Sequence, residues 1–144
     1  MREFKHPIPI AGRDDSNIKT GPLTSDEINA IWQPGQSESD VRWNGRHITV
    51  KKMLSFRELS QFINQVMDFC FDPEHEIAIP EAADFAIRLN VLMMYAGIVL
   101  TCDIDEQYRF VYESGLYEAI SASINPAQLE SIRDTVKTCI LHMT

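Results

Sequence analysis

Apolar residues recur with a helical period through most of the second half of this chain. Ser55-Phe56-Arg57-Glu58 reads as a capping box, a hydroxyl at the N-cap with a glutamate three residues on. Behind it Phe56, Leu59, Phe62, Ile63, Val66, Phe69 and Cys70 fall on one stripe and predict a helix to about Phe71, stopped by Asp72-Pro73. Pro80 suits a first helical turn. Ala82 to Ala96 follows with Phe85, Ile87, Leu89, Val91, Leu92, Met93, Met94 and Tyr95. From Leu89 on that segment is apolar around most of its circumference, which predicts a helix in the middle of a bundle. Gly97 is a natural residue just past its end. Asp103 or Thr101 caps a third helix to about Tyr112, with Ile104, Tyr108 and Val111 on one face. Ser114 is expected to cap a shorter fourth, carrying Leu116, Ala119 and Ile120. Asn125-Pro126-Ala127-Gln128 opens the last, with cap, N1 proline and a glutamine at N3, and Leu129, Ile132, Val136, Cys139 and Ile140 form its stripe.

One strand signal precedes the helices. Val41 to Val50 is rich in β-formers around Asn44-Gly45, and Asn-Gly is a strong hairpin cue because a type I′ turn needs two residues at positive φ. A lone hairpin is not stable, so it must pack on something. Earlier still, His6-Pro7-Ile8-Pro9-Ile10 favours extended backbone and lacks donors at its prolines. Thr24-Ser25-Asp26-Glu27 starts a short helix carrying Ile28, Ile31 and Trp32, and Pro34-Gly35 ends it. The expected fold is mainly α: a four- to five-helix bundle with a short β-hairpin and an extended N-terminal arm. Residues 1–40 form the arm with its short helix, and residues 41–144 the hairpin and helical body.

Charge sharpens that division. Residues 1–50 carry six basic and seven acidic side chains, while residues 51–144 carry seven and fourteen. The net charge of −8 and a pI near 4.9 argue against binding nucleic acid by phosphate neutralisation. No apolar run approaches the roughly 20 residues that span a bilayer, and no signal core follows Met1-Arg2-Glu3-Phe4-Lys5. Neither nucleic acid nor membrane is expected as a partner. Cys70, Cys102 and Cys139 form no CxxC pair, and Cys70 and Cys139 lie in apolar helical stretches. Reduced thiols in or near the core imply a reducing compartment.

Candidate chemistry is sparse. Asp103-Ile104-Asp105-Glu106 fails as a calcium loop, since Gln107, Tyr108 and Ser114 stand at its fifth, sixth and twelfth positions. Carboxylates at helix N-termini and on a solvated loop account better for this cluster and for Asp72-Pro73-Glu74-His75-Glu76. His6, His47, His75 and His142 make no metal or catalytic pattern, and the six glycines form no phosphate-binding loop. Met93-Met94-Tyr95 reads as core before it reads as a binding surface. No catalytic, cofactor-binding or metal-binding residue is assigned, and an enzyme is the least expected class. What stands out is a set of apolar anchors on a segment too poor in apolar surface to fold alone, which must dock either on its own body or on a neighbour. Ile8, Ile10, Ile28, Trp32 and Trp43 are the expected partner-binding residues.

A resemblance gives these anchors a setting. Ile48 to Glu58, Phe62 to Phe71, Ile79 to Arg88 and Tyr95-Ala96 resemble small virion-associated head and neck proteins of tailed bacteriophages, over about residues 46–142. The arm before residue 40 lies outside the pattern. The resemblance implies a virion structural protein, assembled in the bacterial host cytoplasm, that decorates or cements the capsid or joins the head–tail neck. Its partners are then other virion proteins, major capsid or neck subunits, and further copies of itself on the particle. A tail-assembly chaperone, or a small acidic protein that binds a host protein, are the alternatives.

Overall fold

The computed structural model describes residues 21–35, 37–71 and 80–143. The chain divides after Pro34 into two units. In the first, α1 (Ser25–Ile31) is opened by Thr24, whose hydroxyl accepts the Glu27 amide at 3.1 Å while the Glu27 carboxylate accepts the Thr24 amide at 2.9 Å. Both halves of the predicted capping box therefore form. None of the residues of α1 is buried.

The second unit begins with the hairpin β1 (Glu38–Trp43) and β2 (Arg46–Lys51), paired antiparallel from Glu38↔Lys51 to Trp43↔Arg46. Asn44 and Gly45 take φ of 52° and 78°, as a type I′ turn requires. Pairing starts at Glu38 rather than at the predicted Val41. The Val41 signal rested on β-propensity, whereas Glu38, Ser39 and Asp40 are recruited by their partners Lys51, Val50 and Thr49. The buried side chains Ile48 and Val50 turn one face of β2 onto the helices.

Five helices follow: α2 (Phe56–Cys70), α3 (Pro80–Ala96), α4 (Ile104–Glu113), α5 (Leu116–Ser121) and α6 (Pro126–Met143). The described residues thus hold six helices, one more than the expected four to five once α1 is counted. As its apolar circumference predicts, α3 is central, touching α2, α4, α5, α6 and β2. Its Val91, Leu92 and Tyr95 are fully buried. It ends at Gly97, φ 69°, where the Ile98 amide returns to the Leu92 carbonyl at 2.9 Å. That left-handed reversal turns Ile98 and Leu100 back against the core.

Three local expectations need correction. Phe56 begins the α2 stripe in sequence but is 83% exposed, because the first turn of α2 projects past the core that Phe62, Val66 and Cys70 enter. The cap of α5 is Gly115 in the left-handed region rather than Ser114, whose hydroxyl accepts the Leu116 amide instead. Gln128 does not complete a capping box with Asn125. The Asn125 side chain accepts the Gln128 amide at 2.9 Å, while the Gln128 side chain is drawn into the core. There its Oε1 accepts the Leu54 amide at 2.8 Å and the Tyr95 hydroxyl at 2.5 Å, and its Nε2 donates to the Leu54 carbonyl at 3.2 Å. One glutamine thereby ties the β2–α2 turn, α3 and α6 together.

Candidate interaction surface

Three features of the folded chain bear on what it can hold. The first is the exposed stripe of α1. Ile31 is 67% and Trp32 58% exposed, and Leu23 and Ile28 are exposed beside them. Ile28 and Trp32 stand four residues apart and so share a helix face, with Trp32 at the C-cap. Asp26 and Glu27 in the first turn add negative charge where the helix dipole favours it.

The second feature is a groove of about 650 Å³ beside the hairpin. Trp43 and Ile48 supply its sheet side, Ile98 and Leu100 come from the α3–α4 loop, and Phe110 and Leu116 from α4 and α5. Trp43 meets Phe110 edge to face at 6.0 Å and packs half-buried on the core. It is therefore a residue of the helical body and one wall of this groove, not an anchor of the arm. Arg46 and His47 stand at the rim. His47 is engaged with Asp40 at 2.9 Å. Among the described residues, Arg42 and Arg46 have no ion-pair partner.

The third is a polar and aromatic stack on α3, α4 and α5. The Arg88 guanidinium lies over the Tyr112 ring at 4.2 Å and the Tyr117 ring at 4.5 Å. It also pairs with Asp84 at 2.9 Å and Glu118 at 3.2 Å. Burial opposes its charge, and the Asp84 and Glu118 carboxylates more than offset that, holding the guanidinium more firmly protonated than usual. The Tyr112 hydroxyl donates to Asp84, and Arg133 donates to the Tyr117 hydroxyl at 2.5 Å. With Phe85, Tyr108 and Tyr112 in mutual ring contact, the stack fixes the helices in register. Its groups satisfy one another, which suits cohesion rather than substrate binding.

Tyr112 of this stack and Tyr95 beside Gln128 carry a test. Burial, and for Tyr112 also the Asp84 bond, pushes the Tyr95 and Tyr112 hydroxyls well above the ordinary tyrosine value. A raised folded value means that folding opposes ionisation. Their contribution to stability is complete below the unfolded value of about 10 and is lost as pH rises beyond it. In an alkaline titration followed by phenolate absorbance, part of the signal of the four tyrosines should appear only together with loss of helical circular dichroism. Complete ionisation of all four with the fold intact contradicts this.

Of the expected partner-binding residues, Ile8 and Ile10 lie outside the described residues. Ile28 and Trp32 share one exposed face, and Trp43 belongs to the hairpin groove. Sequence reading missed Ile98, Leu100 and Phe110 as lining residues, since three segments far apart in sequence build this groove. The Gly97 reversal, which sends the chain back toward the hairpin, was the available signal. No cluster of three or more metal-ligating side chains occurs among the described residues, where Asp103 instead caps α4 by accepting the Glu106 amide. That bond holds the Asp103 carboxyl below its ordinary value. No helix among the described residues is long and apolar enough to cross a membrane. Compared with protein-family models, curated proteins and solved structures, the chain matches none of them.

Proposed function

We propose that this chain is a non-catalytic structural protein of a tailed-phage virion, a capsid decoration or neck component assembled in the host cytoplasm. The helical body is the displayed knob, and the first thirty-odd residues are the arm that attaches it to neighbouring subunits of the virion, further copies of this chain among them. One observation carries the reading: α1 has a complete N-terminal capping box yet keeps Ile28, Ile31 and Trp32 at its surface. A helix this short is marginal in water and gains its stability by docking an apolar face. Such a preformed amphipathic turn suits helix-in-groove attachment, and the proline-rich segment before it suits extended binding across a subunit. On a symmetric shell, many weak attachments add through effective concentration. The setting comes from the resemblance of residues 46–142 to virion-associated proteins, and the division of the chain after Pro34 supports separate attaching and displayed parts.

The experiment is attachment to particles. Deleting residues 1–36 should leave the helical circular dichroism of the body and abolish its co-sedimentation with particles. In the full chain, Trp32→Asp should do the same without altering the fold. Undiminished attachment of both variants refutes the arm mechanism. A full-length chain found on no purified particle refutes the virion assignment.

A further inference from the structure

The hairpin groove and α1 carry complementary chemistry, and we propose that the groove of one copy receives α1 of a second copy. This deepens the assembly reading above and rests on it. The hairpin and the residue after it, 38–52, hold Arg42, Arg46, Lys51 and Lys52 against Glu38 and Asp40, and of these Asp40 engages His47 and Lys51 pairs with Glu58, whereas residues 53–144 carry five basic and fourteen acidic side chains. An otherwise acidic protein has thus gathered positive charge at its hairpin. Next to it the groove has an apolar floor of Trp43, Ile98, Leu100 and Phe110, and no carboxylate lines it. Arg46 stands at its rim without an ion-pair partner among the described residues.

The occupant follows from the opposite signs. Residues 20–37 contain Asp26 and Glu27 and no basic residue. Within that stretch α1 presents Ile28 and Trp32 on one exposed face, with both acids in its first turn. Apolar anchors enter the floor, and the carboxylates meet the hairpin cations. Charge complementarity of this kind fixes register and rejects an inverted orientation. Because α1 is already closed by its capping box, docking orders little additional backbone. The groove, about 650 Å³, is in the size range in which a few buried side chains are held. Copies linked this way form pairs by reciprocal exchange or arrays by head-to-tail contact, both of which a lattice protein can use.

Light scattering during size-exclusion chromatography of the full chain, over a dilution series, tests this. The wild type should associate reversibly, and Trp32→Asp or Arg46→Glu alone should return it to monomer. Both positions are exposed, so circular dichroism should remain that of the wild type. Mixing the two variants supplies one intact groove and one intact α1, and should restore a one-to-one pair. A wild type that stays monomeric throughout overturns the proposal, as does association untouched by both substitutions. A failed mixing experiment overturns it as well, by showing that the two variants do not damage complementary halves of one interface. If the wild type is monomeric but Trp32→Asp still loses particle attachment, the groove proposal falls and the attachment reading survives.

Discussion

Replacing Gln128 by alanine should lower the stability of the helical body by about 2–4 kcal/mol, seen as a lower urea midpoint at unchanged slope. Gln128 is a buried polar residue that satisfies the Leu54 amide, the Leu54 carbonyl and the Tyr95 hydroxyl at once. Alanine strands all three groups in a place where water cannot replace the lost partners, and the cost of such groups exceeds the net worth of the bonds. Tyr95→Phe is the control. It removes one donor while the Leu54 amide still engages Gln128, so its cost should be nearer 1 kcal/mol. The double variant should cost less than the two singles summed, because they share a partner. Strict additivity is the result that contradicts a connected clasp.

Phe62→Ala should cost more, about 3–5 kcal/mol. Its ring is fully buried and meets the Tyr95 ring at 6.3 Å, between α2 and the central helix. Truncation leaves a cavity where the surrounding helices have little room to collapse. Phe56→Ala, on the same helix, should stay within about 0.5 kcal/mol of the wild type, since its ring is already in water. Equilibrium unfolding of the two variants side by side reads the contrast. Equal losses contradict the assignment of the two phenylalanines to opposite environments.

The difference between these two residues marks where sequence patterns stop being informative. Period and capping chemistry are local, so the Ser55 and Thr24 boxes, the Asn44-Gly45 turn and the Asn125-Pro126 start are readable from neighbouring residues. Phe56 has the right period for the stripe, but whether the body extends far enough to cover it depends on helices that arrive later in the chain. Gln128 has the right offset for a cap, but a buried amide and carbonyl 74 residues away offer it better partners. The Arg88 stack is invisible for the same reason, since Tyr112 and Tyr117 reach it only after α4 and α5 fold back. For the candidate site, the α1 anchors are legible as an apolar stripe on a short helix. The groove is not, because its walls come from the hairpin, the loop after Gly97 and the α4–α5 region.

The three thiols differ in surroundings in a useful way. Cys70 is buried, and its burial pushes the thiol up and away from reactivity. Cys139 is half-covered, while Cys102 lies in the open two residues after Leu100. A maleimide dye added briefly at neutral pH should therefore mark position 102 ahead of the others. The chain thereby carries a native attachment point for a dye two residues beyond Leu100, which lines the hairpin groove, and needs no engineered residue for it.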